Sequence, residues 1–296
     1  MKTSLRWIRR GRPRRNCPVR ENVGGPVRRH RSVAAILVES VQGEGGLNVA
    51  SAEWLGGLAA TAKRLGALLI VDEIQTGCGR TGPFFSFERA GIVPDIVCLA
   101  KSIGGYGLPM SLLLMRPGYD VWSPGEHSGT FRGNSLAFAT AAAALDLWTD
   151  DFEKEVDRRS RILTQWCRSL SVRHPGYLKA KGLGMMQGLE FTKPSDADRA
   201  ARLAALDRIV IERCGPRDEV LKVMAPLNIE IELFASTLIR LGHIIDATIE
   251  STDAAPRLER DDSVLDAHDH RGDAIAGAEL LHCVANMEFD CLLGDA

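Results

Sequence analysis

The sequence lacks the long apolar runs from which membrane spans are built. No stretch of it approaches the roughly 18 consecutive apolar residues that a transmembrane helix needs. No apolar segment of signal-peptide length follows the basic residues near Met1. We therefore expect no membrane partner. With 296 residues, 45% of them hydrophobic, the chain is long enough for one large core and a smaller second domain.

The chain also lacks the cysteine spacings of metal centres and redox motifs. No two of its seven cysteines are separated by only two residues. We therefore expect no metal site, and reduced thiols in a cytoplasmic protein. The cysteines are Cys17, Cys78, Cys98, Cys167, Cys214, Cys283 and Cys291.

Charge is distributed unevenly along the chain. The chain has 37 basic and 38 acidic residues. Residues 1–32 contain eleven of the basic residues and one of the acidic residues, so the rest of the chain carries a net charge of −11. Three explanations compete for this basic arm: nucleic-acid or anionic-surface binding, a targeting peptide, and a disordered segment. Its glycines and prolines are typical of disorder, and no aromatic residues alternate with the arginines to stack on bases. We predict a basic disordered arm over 1–32 and no nucleic-acid partner.

Short apolar runs separated by helix-length segments predict an α/β fold. Strands over 34–38, 68–71, 96–99 and 112–115 are apolar throughout, as expected of a mostly parallel sheet covered on both faces. Ser51 is a plausible N-cap for a helix that ends at Gly66. Further helices are predicted over 134–148, 152–170, 200–212 and 232–249, and strands over 182–191 and 221–226. We predict a large domain over 33–150, a smaller α+β domain over 151–250 and an unrelated acidic tail over 251–296.

Three residues at the ends of two predicted strands carry a recognisable chemistry. Asp72 and Lys101 each follow an apolar run, and Gln75 comes one turn after the aspartate. Open parallel sheets bind their ligands at the carboxyl ends of their strands. A lysine amine can attach covalently to the aldehyde of pyridoxal phosphate, and a carboxylate can keep its pyridine nitrogen protonated. Taken alone, Lys101 is better interpreted as an ordinary strand-end lysine.

Longer motifs surround these residues and carry a family resemblance. They are VESVQGEGG over 38–46, VDEIQTGCGRTG over 71–82, PDIVCLAKS over 94–102 and HSGTFRGN over 127–134. This series resembles the class III pyridoxal-phosphate aminotransferases. The segments GYGLP over 105–109 and PGEH over 124–127 resemble the diaminobutyrate–2-oxoglutarate branch, which is best known from ectoine synthesis.

The resemblance implies roles around the cofactor pyridoxal 5′-phosphate. Lys101 would hold the cofactor and move the proton of the substrate as general base and acid. Asp72 would face the ring nitrogen, and Gln75 the phenolic oxygen. Ile74 would pack under the ring. Thr130 resembles the threonine that reaches the cofactor phosphate of a neighbouring subunit, although a helix-capping role is also open.

The resemblance implies substrate contacts as well. Glu44 resembles a carboxylate that neutralises a cation and then releases it to bind a dicarboxylate, although its segment also has the composition of a polar turn rich in glycine. Glu39 stands beside it. Lys222 occupies the position of an arginine in ornithine-type relatives, and a lysine cannot form the bidentate contact that an arginine forms with a carboxylate. Arg132 is a candidate contact for an acidic substrate.

Together these features predict a fold-type I transferase, with a mostly parallel but incomplete central sheet and a smaller C-terminal α+β domain. The implied reaction moves the amino group of L-glutamate to L-aspartate 4-semialdehyde and gives L-2,4-diaminobutyrate and 2-oxoglutarate. Its partners would be amino acids, 2-oxo acids and further copies of the chain, in a homodimer or higher homo-oligomer. By resemblance, the chain lacks the N-terminal third of the family fold, with its phosphate-binding loop. Two alternatives therefore stay open: another ω-amino acid aminotransferase of ornithine or 4-aminobutyrate type, or a non-catalytic remnant that cannot retain the cofactor.

Overall fold

The secondary structure forms two sheets, each with its own helices. The structure, a computed structural model, describes residues 6–9, 33–105, 107–130 and 132–254. In chain order the elements are β1 (Arg6–Arg9), β2 (Val33–Val38), α1 (Ala52–Leu65), β3 (Leu68–Asp72), β4 (Ile96–Leu99), β5 (Leu112–Met115), α2 (Ser135–Asp146), α3 (Asp150–Arg173), β6 (Leu178–Leu183), β7 (Met186–Phe191), α4 (Pro194–Leu206), β8 (Glu212–Cys214), β9 (Val220–Val223) and α5 (Ile231–Ala254).

The first sheet has parallel strands at its centre and antiparallel strands at its edges. Its order is β1-β2-β3-β4-β5, with β2, β3 and β4 mutually parallel. β1 and β5 run antiparallel to their neighbours. The α/β class predicted from the apolar runs is confirmed, and the parallel strands bring the ends of β3 and β4 to the same edge.

Helix α1 connects two of the parallel strands and has the predicted boundaries. The hydroxyl of Ser51 accepts a hydrogen bond from the backbone N–H of Trp54, and Gly66 ends the helix in the left-handed conformation. The buried face of α1 consists of Leu55, Leu58 and Ala62. This face packs against the sheet because the three apolar positions recur at helical spacing.

The prediction of disorder over 1–32 is wrong for four residues. Arg6–Arg9 form β1, which pairs with the edge of β2 in a register that joins Trp7 to Ile36. The reason is the open edge of β2, whose backbone groups need hydrogen-bond partners. The rest of the predicted arm and residues 255–296 lie outside the described part of the chain.

The second sheet is antiparallel throughout and carries the larger apolar core. Its order is β6-β7-β9-β8, and α3, α4 and α5 pack on it. Two local predictions are wrong here. Residues 182–191 form most of a hairpin instead of one strand, because Gly184 turns the chain with a positive φ. The helix predicted over 200–212 ends at Leu206, and Glu212 lies on β8.

A third apolar cluster joins the loop after β2 to the second sheet. In it, Val41 and Leu47 pack with Met186, Cys214 and Val220, all of them buried. This cluster matters for function because the loop that follows β2 contains several of the predicted site residues.

A polar contact joins the loop after β3 to the second sheet as well. The guanidinium of Arg80 donates to the carbonyl of Ala225 over 2.6 Å, and the backbone N–H of Met185 donates to the carbonyl of Arg80 over 2.8 Å. The two sheets are therefore connected by the same loops that follow the parallel strands.

Helix α2 stands out because its apolar surface is largely uncovered. Its sequence, SLAFATAAAALD, is apolar on every side, yet only Ala137 and Ala141 are buried. Leu136 is 69% exposed and Phe138 is 49% exposed. An apolar face of this kind is typical of a protein–protein contact. None of the helices within the described ranges is long and apolar enough to cross a bilayer.

Replacing Gly188 by alanine tests the packing between β7 and β9. A Cβ atom at this position would lie 2.1 Å from the carbonyl oxygen of Leu221, so the two strands would have to separate. We expect Gly188→Ala to lower the free energy of unfolding by about 1–3 kcal/mol. The measurement is a urea unfolding curve.

The matched control is Gly57→Ala on the exposed side of α1, where a Cβ atom meets nothing within 4 Å. It should raise the free energy of unfolding by about 0.5–1 kcal/mol, since alanine is the better helix former. Equal effects at the two positions would contradict the packing described here.

Candidate active site

Lys101 and Asp72 lie at the carboxyl ends of neighbouring parallel strands. Asp72 is the last residue of β3 and is paired in register with Cys98 of β4. Lys101 follows β4 after one extended residue, and its side chain is exposed. The sheet thus brings an amine and a half-buried carboxylate to one edge, as the strand-end pattern predicts.

The turn that begins at Lys101 is held by contacts with the core of the first sheet and with helix α2. Lys101 has a φ of 53°, in the left-handed region that bulky residues rarely adopt. Ile103, two residues later, is 4% exposed and packs in the core of the first sheet. The hydroxyl of Thr140 on α2 donates to the carbonyl of Gly104 over 2.9 Å. These contacts fix the backbone from which the lysine amine projects.

The buried carboxylate of Glu73 fastens the loop after β3. It accepts hydrogen bonds from the hydroxyl of Thr76 over 2.9 Å and from the backbone N–H of Ser86 over 3.2 Å. It also accepts from the hydroxyl of Ser86, which in turn is hydrogen-bonded to Ser40 after β2. Burial raises the pKa of Glu73 above its ordinary value, although the hydrogen bonds from Ser86 and Thr76 oppose that shift.

Asp72 and Gln75 are oriented by the same loop. The carboxylate of Asp72 accepts a hydrogen bond of 3.0 Å from the backbone N–H of half-buried Ile74. The side-chain N–H of Gln75 donates to the carboxylate of Glu44 over 2.9 Å. The carbonyl oxygen of Gln75 is buried, and no donor within the described residues reaches it. Buried amide oxygens are rarely left without a donor, so this atom is available to a ligand.

Glu44 joins the loop after β2 to a buried lysine of the second sheet. Its carboxylate lies 3.0 Å from the ammonium of Lys222, which lies 2.9 Å from the carboxylate of Glu212. Desolvation alone would raise the pKa of Glu44, but hydrogen bonds from Gln75 and Lys222, together with the charges of Lys222 and Lys101, lower it. Glu44 is therefore ionised at neutral pH.

Lys222 stays charged despite its burial. Its side chain is 1% exposed. Burial alone would lower the pKa of Lys222, but hydrogen bonds to Glu212 and Glu44 and the charges of both raise it above the ordinary value. The three groups form one ionic unit, which we call the Lys222 cluster.

Glu39 closes the loop that presents Glu44. Its carboxylate accepts a hydrogen bond of 3.1 Å from the backbone N–H of Gly43. A side chain at position 43 would displace the amide of Gln75, because a Cβ atom there would lie 2.4 Å from the carbonyl oxygen of Gln75. The loop after β2 is thus shaped to fit the loop after β3.

Left-handed backbone conformations occur in each of the three site loops. Leu47, Cys78 and Lys101 have positive φ angles, at 56°, 54° and 53°. They belong to the loops after β2, β3 and β4 respectively. Among the described non-glycine residues, two others share this feature, Arg208 and Asp218. Backbone strain of this kind is concentrated at functional sites, where the surrounding packing enforces it.

Two predicted site residues lie apart from this group. Thr130 and Arg132 are exposed in the loop between β5 and α2. The guanidinium of Arg132 donates to the carbonyl of His127, and its backbone N–H donates to the carbonyl of Gly129 over 3.1 Å. These are contacts within the loop itself. The structure therefore brings together Lys101, Asp72, Ile74, Gln75, Glu44, Glu39 and Lys222, but not Thr130 or Arg132.

Two residues of the site were missed by sequence reasoning. Glu73 was passed over in favour of its neighbour Asp72, although its place at the end of a buried strand was a usable signal. Glu212 was assigned to the end of a helix, and no local pattern marks it as a partner of Lys222. Only the pairing of β8 with β9 identifies Glu212 as a partner of Lys222, because the two residues lie opposite each other in that pairing.

The residues at the sheet edge fit the ring of pyridoxal phosphate. Lys101 supplies an amine, Asp72 a carboxylate for a ring nitrogen, and Gln75 a buried amide oxygen that no donor in the described part of the chain reaches. Half-buried Ile74 is the apolar neighbour in this group. For the phosphate group, Thr130 offers a hydroxyl from an exposed loop.

Comparison with known proteins agrees with this chemistry. The family described as Aminotransferase class-III matches residues 20–245. A diaminobutyrate–2-oxoglutarate transaminase of Bordetella parapertussis is 51% identical over 231 residues, which is 76% of this chain and 53% of that protein. The enzyme of the same name from Virgibacillus pantothenticus is 50% identical over 202 residues, 67% of this chain and 49% of that protein. The chain thus spans about half the length of the curated relatives it matches.

Solved structures show the same fold. The ornithine aminotransferase of Toxoplasma gondii has a TM-score of 0.67 at 32% identity, covering 73% of this chain and 52% of that one. The N-acetylornithine aminotransferase of Stenotrophomonas maltophilia has a TM-score of 0.64 at 33% identity, covering 74% and 57%. The predicted fold-type I architecture is confirmed by these neighbours.

The raised pKa of Glu73 makes stability depend on pH in a defined direction. The folded chain holds this proton more tightly than the unfolded chain, whose carboxyl group titrates near 4.5. Protonated Glu73 contributes its full stabilisation at pH values below the pKa of the unfolded chain. This contribution is lost as the pH rises through the higher pKa that Glu73 has in the folded chain. Compared with Glu73→Gln, the unchanged chain should therefore lose stability as the pH rises. Urea unfolding midpoints at a series of pH values measure this difference.

The control is Glu53→Gln in the first turn of α1. Hydrogen bonds from the backbone and from Ser51 lower the pKa of Glu53. Compared with this variant, the unchanged chain should gain stability as the pH rises. The same pH trend for both variants would contradict the assignment of Glu73.

Proposed function

This chain belongs to the class III aminotransferase family, and we propose that it acts in the diaminobutyrate–2-oxoglutarate transaminase reaction. The amino group of L-glutamate moves to L-aspartate 4-semialdehyde and gives L-2,4-diaminobutyrate and 2-oxoglutarate. The observation that carries the proposal is the placement of Lys101 and Asp72 at one sheet edge, on neighbouring parallel strands.

The proposed cofactor is pyridoxal 5′-phosphate, which supplies an electron-withdrawing ring when bound. Lys101 would hold the cofactor, and its amine would move the proton of the substrate α-carbon as general base and acid. Asp72 keeps the ring nitrogen protonated. Gln75 hydrogen-bonds the phenolic oxygen, and Ile74 packs under the ring. Thr130 binds the cofactor phosphate of a neighbouring subunit.

The proposed substrate contacts lie farther from the ring. Glu44 faces the end of the substrate remote from the reacting amine, with Glu39 holding its loop closed. Lys222 is the cation that Glu44 neutralises. Arg132 contacts an acidic substrate from the exposed loop. Lysine in place of arginine at position 222 lowers the geometric selectivity for a carboxylate, because its ammonium is a point charge and not a planar fork.

The named relatives support this reaction over the ornithine alternative. Relatives with the diaminobutyrate–2-oxoglutarate name reach 52% identity, while the ornithine-type structures reach 32–33%. We place the reaction in ectoine synthesis and the protein in the cytoplasm. We also propose that the boundary between the large and small domains lies near residue 150, between the elements of the two sheets.

Cofactor binding tests the proposed function directly. The purified chain mixed with pyridoxal phosphate should turn yellow, and borohydride should attach the cofactor to Lys101, as located by peptide mass spectrometry. Lys101→Ala should stay colourless. Lys193→Ala, an exposed lysine at the start of α4, serves as the control and should behave as the unchanged chain does.

The same preparation tests which amino acid the chain prefers as its substrate. Diaminobutyrate should discharge the yellow colour at lower concentrations than ornithine or 4-aminobutyrate do. A preference for ornithine or 4-aminobutyrate would make the branch assignment wrong. If the unchanged chain stays colourless with the cofactor, the non-catalytic alternative is correct.

We further propose that the chain forms a homodimer through α2 and the loop before it. Leu136 and Phe138 expose apolar surface beside the loop that contains Thr130. For the unchanged chain, sedimentation velocity should give a particle of twice the chain mass of 32.3 kDa. For Phe138→Glu it should give the mass of one chain. Val172→Glu, on the exposed side of α3, should leave the dimer intact. A single chain mass for the unchanged protein would contradict the proposal.

A further inference from the structure

The two carboxylates that contact Lys222 differ in their surroundings. Glu212 stands directly opposite Lys222 in the pairing of β8 with β9, and its side chain is 25% exposed. Glu44 is on a loop, and its side chain is 70% exposed. One partner of the lysine is therefore built into the sheet, and the other faces the open end of the site.

This difference decides which carboxylate can move. A buried ammonium that loses all its charged partners is strongly disfavoured. Because Glu212 is held opposite Lys222 by strand register, the lysine keeps one partner when Glu44 turns away. Glu44 can therefore exchange Lys222 for a ligand without leaving an unpaired charge in the interior.

The Lys222 cluster has a net charge of −1, because one ammonium is shared by two carboxylates. Glu44, its exposed member, is held towards the site by the side-chain N–H of Gln75. The positive charge of Lys101 also acts on Glu44, but more weakly than the charge of Lys222 does. Lys181 is paired with Glu190 on the same sheet, 3.4 Å away, and adds no net charge.

We infer that Glu212 is a specificity-determining residue. As the permanent partner of Lys222, it keeps the cluster negative, so the site favours substrates with a second ammonium group over substrates with a second carboxylate. Glu212 acts through Lys222 and Glu44 and does not touch the substrate. The inference rests on the proposed function and names the substrate class that the remote end of the site selects.

Two small probes of opposite charge test this inference on the full chain. Putrescine carries two ammonium groups, and succinate carries two carboxylates on a chain of the same length. The side-chain amide of Gln75 reports binding in nitrogen-15 NMR spectra, since it is hydrogen-bonded to Glu44. In the unchanged chain, putrescine should shift this resonance at lower concentrations than succinate does.

Glu212→Gln removes one negative charge from the cluster. It should weaken putrescine binding and strengthen succinate binding, so that the ratio of the two dissociation constants changes by about tenfold or more. The matched control is Glu190→Gln, which removes the same charge from the same sheet at a site paired with Lys181. The control should keep the preference of the unchanged chain. An unchanged preference in Glu212→Gln, or an equal change in both variants, would overturn the inference.

A second variant covers the case in which Glu212→Gln does not fold. Glu44→Gln removes the exposed carboxylate and leaves Lys222 paired with Glu212. It should unfold close to the temperature of the unchanged chain and lose the preference for putrescine. A retained preference would also overturn the inference. The probes need neither cofactor nor turnover, so a chain that fails as a transaminase can still pass this test, and an active chain can fail it.

Discussion

The candidate site depends on the ion pair between the ammonium of Lys222 and the carboxylate of Glu44. Lys222 lies on the second sheet, yet it binds Glu44, which belongs to the loop after the first strand of the parallel set. The backbone supports the same junction, since the N–H of Gly215 donates to the carbonyl of Glu44 over 2.9 Å. The apolar packing of Leu47 against Met186 and Val220 joins the same loop to the second sheet. This junction places Glu44, from the loop after β2, beside the second sheet.

The loops of the first sheet are held in shape by a buried polar network. Glu73 connects its own loop to Ser86, and Ser86 connects to Ser40 at the start of the Glu44 loop. These groups are buried, so a broken hydrogen bond among them would leave an unsatisfied polar group in the interior. That cost makes the network stiff. Cys78, which has a left-handed backbone, lies in the same loop a few residues beyond Glu73.

Sequence reasoning succeeds where the signal is local and fails where it depends on pairing between distant segments. The ends of α1 were predicted correctly because Ser51 and Gly66 act on adjacent backbone groups. Lys101 and Asp72 are predicted as site residues because each follows an apolar strand within a motif that resembles the class III aminotransferases, and parallel strands bring such ends together. Glu212 was missed because only the register between β8 and β9 places it opposite Lys222. β1 was missed for a similar reason, since its partner edge on β2 lies outside its own sequence.

The division of the site between two sheets has a consequence for substrate length. The groups that face the ring, Lys101 and Asp72, are fixed to the first sheet, while Lys222 and Glu212 are fixed to the second. Glu44 belongs to the first sheet by sequence but takes its position from the second through Lys222. The distance between the reacting amine and the remote end of a substrate is therefore set by how the sheets pack. The contacts of Arg80 with Ala225 and Met185 are among those that join the two sheets. In this arrangement, substitutions at the junction change which substrate length fits, even though they touch neither the ring nor the substrate.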